Sequence, residues 1–180
     1  MSLELRRKLF HFTSILGCAF LIKLYPLLAC LALALSSLFL FLIVRKVEPV
    51  YEPLKRLVLF LERPKNYDRP GVQALWACLG LFTACLLFSA DAFYGALVLA
   101  VGDAAAWLVG SHLGRLRVRD KSLEGSLAFF LASFLALLPF TGGTEALAVS
   151  LAGALAELLL PYPDDNFTVP VAASAVGWLV

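Results

Sequence analysis

Residues 92–126 read AFYGALVLAVGDAAAWLVGSHLGRLRVRDKSLEGS, a long apolar run with one aspartate inside it and a basic loop behind it. The apolar part, residues 92–113, is long enough to cross the hydrocarbon core of a bilayer as one helix. A charged side chain is costly at that depth, so Asp103 is expected to face neighbouring helices and to have a functional role. The stretch therefore predicts a membrane helix that carries a functional acid and ends at a cluster of cations.

The composition of the whole chain agrees with this prediction. Of 180 residues, 61% are hydrophobic and 16% are charged, whereas soluble domains average about 45–50% and about 25%. These values exclude a disordered chain, a small disulfide scaffold and an ordinary soluble enzyme. The formal net charge of +2 is too small to indicate a nucleic-acid partner. We expect an all-α fold, a polytopic integral membrane bundle of about seven transmembrane helices forming a single catalytic domain over residues 1–180.

Apolar stretches of sufficient length recur along the chain. The predicted spans cover residues 9–25, 26–44, 71–90, 92–113, 123–140, 145–160 and 166–180. The last of them is short for a bilayer, and Pro170 is expected to delay the start of its helix. Whether this span crosses the membrane completely is left open.

The lysines and arginines are distributed very unevenly between the two sides of such a bundle. All of the 15 except Lys23 lie in the N-terminal segment, the connection 44–70 or the loop 114–121, which fall on one side if the helices alternate. Cytoplasmic loops of membrane proteins carry an excess of these residues. The pattern predicts a multi-pass protein of the cell membrane with its N-terminus and active site on the cytoplasmic side.

A different kind of helix is predicted within the connection between spans two and three. In residues 47–61 the apolar positions recur at i, i+3, i+4 and i+7, with charged residues largely off that stripe. This pattern is typical of an amphipathic helix on the membrane surface. It is compatible with two roles, a cover over the end of the bundle or a gate for a lipid substrate.

Two acidic residues lie in predicted spans on faces made of small residues. Asp103 shares its face with Ala106, Gly110 and Gly114, and Glu157 shares its face with Ser150, Gly153 and Ala154. Small-residue rows are where membrane helices pack closely, so both carboxylates are expected to point inward. Together they could hold a divalent cation against substrate phosphates, and Mg²⁺ is the natural choice. The proton or ion path of a transporter would use the same residue types.

The loop after Asp103's helix carries four alternating cations, Arg115, Arg117, Arg119 and Lys121. If the loop is extended, these side chains point to one side. A helix that starts near Ser122 would add backbone N–H groups to the same anion site. A polyphosphate would fit there, although cations that merely fix the membrane topology would give the same pattern.

Two further clusters are candidates for substrate contacts. Glu4, Arg7 or Lys8, and His11 share one helical face and could meet a lipid or substrate phosphate. The sequence 164–166, Asp-Asp-Asn, is either the N-cap of the last helix or a set of metal and nucleotide ligands. No soluble phosphate-binding motif such as GxxxxGK[ST] or GxGxxG is present in the sequence.

Taken in order, these motifs resemble a known family. They are Glu4-x-x-Arg7-Lys8-x-x-His11, Arg69-Pro70, Gly102-Asp103-x-x-Ala106 with Gly110 and Gly114-Arg115, Lys121-Ser122-x-Glu124-Gly125-Ser126, and Glu157 followed by Asp165-Asn166-Phe167-Thr168-Val169-Pro170. The series is similar to the CTP-dependent lipid-alcohol kinases: dolichol kinase, phytol kinase and the yeast-type diacylglycerol kinase. Its middle part is more distantly similar to CDP-diacylglycerol synthase. One departure is Ser111, where the family often has a basic residue that would contact phosphate.

The resemblance implies CTP as phosphoryl donor, Mg²⁺ as cofactor and a lipid alcohol of the bilayer as acceptor at a cytoplasm-facing site. It places Asp103 at the family's Gly-Asp motif, Lys121, Ser122 and Glu124 at its nucleotide motif, and Asp165 and Asn166 at its terminal motif.

The sequence thus leads to the hypothesis of a kinase that phosphorylates the hydroxyl of an isoprenoid alcohol. The expected catalytic residues are Asp103, Lys121 and Glu124; the nucleotide ligands Arg115, Arg117, Lys121, Ser122 and Asn166; the metal ligands Asp103, Glu157 and Asp165; and the substrate or phosphate contacts Arg7, Lys8, His11 and Arg69. Glu124 or another carboxylate would take the alcohol proton. The alternatives are a CTP-using cytidylyltransferase and, from a different class, a small transporter.

Overall fold

The computed structural model describes residues 2–160 and 162–180, and in this part of the chain the fold is helical apart from one short hairpin. The helices are α1 (Leu3–Leu24), α2 (Pro26–Val44), α3 (Glu48–Leu61), α4 (Val72–Phe88), α5 (Ala92–Leu113), α6 (Leu123–Leu137), α7 (Gly143–Leu159) and α8 (Asp165–Leu179). The hairpin consists of β1 (Arg117–Val118) and β2 (Lys121–Ser122), which pair antiparallel. The predicted all-α class is confirmed.

Each predicted apolar stretch corresponds to one helix, and the differences lie at the ends. Helix α1 begins earlier than predicted because the Ser2 hydroxyl caps it, accepting a hydrogen bond from the Leu5 N–H. The prediction that Pro170 delays the last helix is wrong, since α8 begins at Asp165. Asp164 caps its first turn, and the buried Pro170 packs its carbonyl against Gly95 of α5. Capping and packing together offset the hydrogen bond that proline removes.

Within residues 2–160 and 162–180, length and hydropathy single out two stretches that could cross a membrane, Pro26–Val44 and Val72–Leu113, the second made of α4, α5 and the turn between them. By this criterion a bundle of seven spans is not established. The exposure of leucines on the outer faces of the helices is a second observation that bears on a membrane location. Stripes of exposed leucines run along three helices: Leu27, Leu31 and Leu35 on α2, Leu127, Leu131 and Leu135 on α6, and Leu147, Leu151 and Leu155 on α7. Soluble monomers rarely expose apolar surface of this extent, so the stripes favour a lipid-facing exterior.

Helix α5 forms the centre of the bundle and packs against α1, α4, α6, α7 and α8. Glycines let its neighbours come close. A Cβ on Gly102 would lie 2.6 Å from the Phe129 ring of α6, and one on Gly114 would lie 2.8 Å from the Cβ of Ser122. The predicted small-residue row after Asp103 does face another helix, α6, since a Cβ on Gly110 would lie 3.6 Å from the Gly125 Cα.

The predicted amphipathic helix is present as α3. Its charged residues Glu52, Lys55 and Arg56 are exposed, whereas Tyr51 is buried. The helix is fastened to α1 by Arg6, which donates a hydrogen bond to the Phe60 carbonyl at 3.4 Å and lies 4.0 Å from the centre of the Phe60 ring.

A buried carboxylate organises the turn that follows α3. Glu62 accepts hydrogen bonds from the Arg63 N–H, the Asn66 amide and the Gly71 N–H, at 2.9, 3.0 and 2.7 Å. Gly71 adopts a positive φ of 81°, which a glycine tolerates without strain. The start of α4 is thereby fixed relative to the end of α3.

The cationic segments meet at one end of the bundle, where α1 begins, α5 ends and α8 begins. Side chains from these segments contact one another, as described below. Lys23 lies apart from them, 4.5 Å and 4.0 Å from the ring centres of Phe93 and Phe140.

Candidate functional site

A cavity of about 770 Å³ opens at this cationic end of the bundle. Polar side chains from α1, α4, α5, the hairpin, α7 and α8 line one part of it, and apolar side chains of α2 and α3 line another. Of the predicted site residues, the cavity is lined by Arg7, Lys8, His11, Asp103, Arg117, Lys121, Ser122, Glu157, Asp165 and Asn166. Residues separated by up to about 160 positions in the sequence are thus brought to one place.

Asp103 lies in the cavity wall as part of an ion-pair cluster with α1. The Lys8 ammonium donates a hydrogen bond of 2.6 Å to its Oδ2 atom, and the His11 Nε2 atom lies 3.7 Å from the same oxygen. The side chains of Lys8 and Asp103 are only about one-fifth exposed, at 18% and 21%. The N-terminal cluster and the Gly-Asp motif, which were predicted as separate candidates, therefore form one unit.

A second cluster is centred on Lys121 of the hairpin. Its ammonium lies 2.8 Å from the Glu157 carboxylate and contacts the Asp165 carboxylate as well. Glu157 is buried and also accepts a hydrogen bond of 3.0 Å from the Ser126 hydroxyl. Burial works to lower the pKa of Lys121, but Asp165 and Glu157 outweigh it and hold the pKa above its ordinary value. Lys121 therefore stays charged and neutralises two acids at once.

Of the two roles that were considered for residues 164–166, the structure confirms the N-cap of the last helix. Asp164 caps the helix, accepting hydrogen bonds from the Asn166 N–H at 3.0 Å and from its side-chain amide at 2.7 Å. Asp165 turns instead toward Lys121 in the cavity, and Asn166 lines the cavity beside it.

The basic loop is not one extended segment with four cations on one side. It turns back on itself at Arg119 and Asp120, where Arg119 has a positive φ of 55°. Arg117 and Lys121 face the cavity, Arg119 donates to the Leu159 carbonyl at 3.5 Å, and Arg115 does not line the cavity. Because the chain reverses direction at this turn, the four cations do not all lie on one side of the loop.

The start of α6 near Ser122 is as predicted. The Ser122 hydroxyl accepts a hydrogen bond of 3.1 Å from the Gly125 N–H and caps the helix. Glu124 lies on the outside, where its carboxylate accepts hydrogen bonds from the Leu116 N–H at 3.2 and 3.3 Å. Neither Glu124 nor the exposed Arg69 lines the cavity.

Sequence reasoning missed a chain of polar contacts that positions Arg7. Arg63 donates two hydrogen bonds of 2.7 Å to the Glu4 carboxylate, which also accepts one of 2.8 Å from Arg7. Arg7 in turn contacts the side-chain oxygen of Gln73 in the cavity wall. The hydrogen bonds that Arg63 donates to Glu4 raise the pKa of Arg63. Gln73 is the single glutamine of the sequence, and its position at the start of an apolar helix could have indicated a polar contact there.

The residues predicted to hold a metal share the cavity but do not form a preassembled site. Within residues 2–160 and 162–180, no group of three or more His, Cys, Asp or Glu side chains is close enough to bind a metal ion by itself. Mg²⁺ usually takes one or two protein carboxylates and completes its shell with water and substrate phosphates. One or two of the carboxylates Asp103, Glu157 and Asp165 would fit that incomplete set once Lys8 or Lys121 had left them.

Comparisons with known proteins link the chain to a lipid kinase. It is 33% identical over 126 residues to an uncharacterized protein of Methanocaldococcus jannaschii. This alignment covers 67% of this chain and 64% of that protein. It is 37% identical over 97 residues to the phytol kinase of Synechocystis sp. This second alignment covers 47% of this chain and 42% of that protein. The chain thus spans less than two thirds of either relative. No family model and no solved structure matches it.

Proposed function

We propose that this protein is an integral membrane kinase that transfers the γ-phosphoryl group of CTP to the hydroxyl of an isoprenoid lipid alcohol. The observation that carries the proposal is a single cavity with cations and carboxylates in one part and an apolar wall in the other. Such a cavity suits a reaction between a charged nucleotide and a lipid. The similarity to a phytol kinase supports the same class of reaction. The proposed protein crosses the membrane about seven times, with the cavity at the cytoplasmic face.

Phosphoryl transfer depends mostly on positioning and on neutralising the charge of the transferred group. Arg7, Lys8, Arg117 and Lys121 supply four positive charges around the cavity. In the proposed reaction the alcohol oxygen forms a bond to the γ-phosphorus while the bond to the β-phosphate oxygen breaks, and CDP leaves. These cations stabilise the negative charge on both sides of the transferred group.

Mg²⁺, when bound by one or two of the carboxylates Asp103, Glu157 and Asp165, would neutralise phosphate charge and orient the triphosphate. Lys8 and Lys121 would then exchange their carboxylate partners for phosphate oxygens. The hydroxyl proton passes to a carboxylate inside the cavity, since Glu124 lies outside it. Ser122 and Asn166 are placed to contact the nucleotide from the hairpin and from α8.

The proposal is tested with purified protein in detergent, Mg²⁺, each of the four nucleoside triphosphates labelled at the γ-phosphate, and a panel of lipid alcohols. We expect a labelled lipid phosphate and CDP with CTP. Release of pyrophosphate with transfer of CMP would instead identify a cytidylyltransferase. No product, together with no shift in thermal stability on adding CTP and Mg²⁺, would favour a transporter.

The variant Asp103→Asn tests the site assignment. We expect it to lower the transfer rate at least about 100-fold, since it removes a charge that acts at the transferred group. Asp91→Asn is the matched control, because Asp91 precedes α5 at the other end of the same helix and does not line the cavity. The double variant Lys8→Met/Asp103→Asn removes the unpaired lysine if the single variant folds poorly. Near-normal turnover in a folded Asp103→Asn protein would refute the assignment.

A further inference from the structure

The cavity has an apolar part that the nucleotide cannot use. Helices α2 and α3 line it with Leu40, Ile43, Leu54, Val58 and Leu61, none of which offers a hydrogen bond or a charge. The nearest carboxylate on that side, Glu62, already accepts three hydrogen bonds from its own turn. A triphosphate or a base placed against this wall would lose its hydration without any compensating partner.

The edge of this apolar part is open and is itself apolar. Phe10 of α1, Phe39 of α2 and Leu57 of α3 line the cavity and are nevertheless 56%, 45% and 58% exposed. The charged residues of α3 (Glu48, Glu52, Lys55 and Arg56) do not line it. A molecule that leaves the cavity by this edge therefore passes exposed apolar side chains.

The change from polar to apolar lining takes place within one turn of α1. Lys8 and His11 lie beside Asp103, and Phe10 lines the cavity between them in the sequence. A ligand held here would have a polar end at the ion-pair cluster and an apolar body that begins directly behind it.

Resting on the proposed function, we propose that the groove between α1, α2 and α3 holds the part of the lipid alcohol's hydrocarbon chain next to the hydroxyl, with the rest of the chain outside the protein. A hydrocarbon chain needs no hydrogen-bond partner, whereas a peptide segment in the same groove would leave its backbone groups unsatisfied. The groove thus lets the hydroxyl reach Asp103 while the chain stays in apolar surroundings.

This geometry determines how the protein selects its substrate. A chain that comes from lipid gains little free energy on entering the groove, because both environments are apolar. The groove therefore guides the chain and does not measure its full length. At equal surface concentration, alcohols long enough to pass the edge are expected to react with kcat/KM values within about threefold of one another.

The first test uses the unmodified protein and a phytol analogue that carries a photoreactive diazirine on a carbon near the hydroxyl. After irradiation, labelled peptides are expected from α2 and α3, and unlabelled phytol should compete. Labelling confined to the outer faces of α6 and α7, or labelling that phytol does not reduce, would overturn the proposal. Because labelling needs no CTP, this result is independent of whether phosphoryl transfer is observed.

The second test narrows the groove with Val58→Trp. Forcing a larger side chain into this site is expected to lower kcat/KM for the lipid alcohol about tenfold, with KM for CTP unchanged. Leu35→Trp is the control, because Leu35 is 69% exposed on α2 and does not line the cavity. Equal effects of the two variants on lipid kcat/KM, or a change in KM for CTP alone, would overturn the proposal while leaving the kinase activity itself established.

Discussion

Lys121 is the side chain whose removal should affect the stability of the fold most clearly. Its ammonium lies 2.8 Å from Glu157 and also contacts Asp165. The Glu157 side chain is 6% exposed, so without Lys121 it would be a buried carboxylate with a single hydrogen bond from Ser126. Removing one partner of a fully buried pair costs about 3–5 kcal/mol. Lys121 is 31% exposed, and since water reaches it, we expect Lys121→Met to cost about 2–3 kcal/mol.

A double-mutant cycle separates this effect from lost packing. Glu157→Gln alone leaves Lys121 paired with Asp165 and is expected to cost about 1 kcal/mol. In the double variant no buried charge remains unpaired, and Asp165 is 29% exposed and can be hydrated. We expect the double variant to cost no more than about 1 kcal/mol, less than Lys121→Met alone.

The assay is unfolding by sodium dodecyl sulfate in mixed micelles, followed by the loss of helical circular dichroism. Lys55→Met is the matched control, since Lys55 pairs with Glu52 at 3.1 Å but both side chains are about half exposed, at 47% and 55%. It should cost no more than about 0.5 kcal/mol. Additive losses in the double variant, or equal losses for Lys121→Met and Lys55→Met, would show that the buried ion pair does not carry the effect.

Three further outcomes follow from the same structure. Under the proposed function, Glu4→Gln frees the arginines that it holds, so KM for CTP should rise about tenfold with little change in thermal stability; an unchanged KM counts against the polar chain behind Arg7. Gly114→Ala should cost about 1–3 kcal/mol of stability because its Cβ would meet a backbone oxygen at 2.4 Å, whereas Gly17→Ala, with open space around it, should be neutral or slightly stabilising in the same unfolding assay. Mg²⁺ without nucleotide should not shift the thermal stability of the protein, because lysines already neutralise the candidate ligands, and isothermal titration would detect the contrary.

The helices could be predicted from the sequence because long apolar stretches and clustered cations are local signals. The predicted span 26–44 coincides with α2, and the predicted span 92–113 coincides with α5. The ends of some helices differ from the predicted ends where a capping side chain or a contact with a distant residue is present. Pro170 is tolerated inside α8 because its carbonyl packs against Gly95, a contact between residues 75 positions apart that no local pattern reveals.

The candidate site could be predicted as a set of residue types but not as a set of pairs. Charges inside apolar helices pointed to Asp103 and Glu157, since such residues are costly in lipid. That Lys8 would pair with Asp103, and Lys121 with Glu157, depends on how helices pack across the bundle. The turn at Arg119 was missed because a two-residue reversal with a positive φ usually needs glycine or asparagine, and this loop has neither at that position.

The short hairpin has a consequence for how the cavity can open. Ser122 packs against Gly114 with no room for an added methyl group, which holds the hairpin that carries Arg117 and Lys121 against the end of α5. Helices α5 and α6 and the hairpin therefore form a closely packed frame around the polar end of the cavity. Helix α3 contacts α1 through a hydrogen bond at the Phe60 carbonyl. Under the proposed function, we expect the motion that admits a lipid to be a swing of α3 away from that frame.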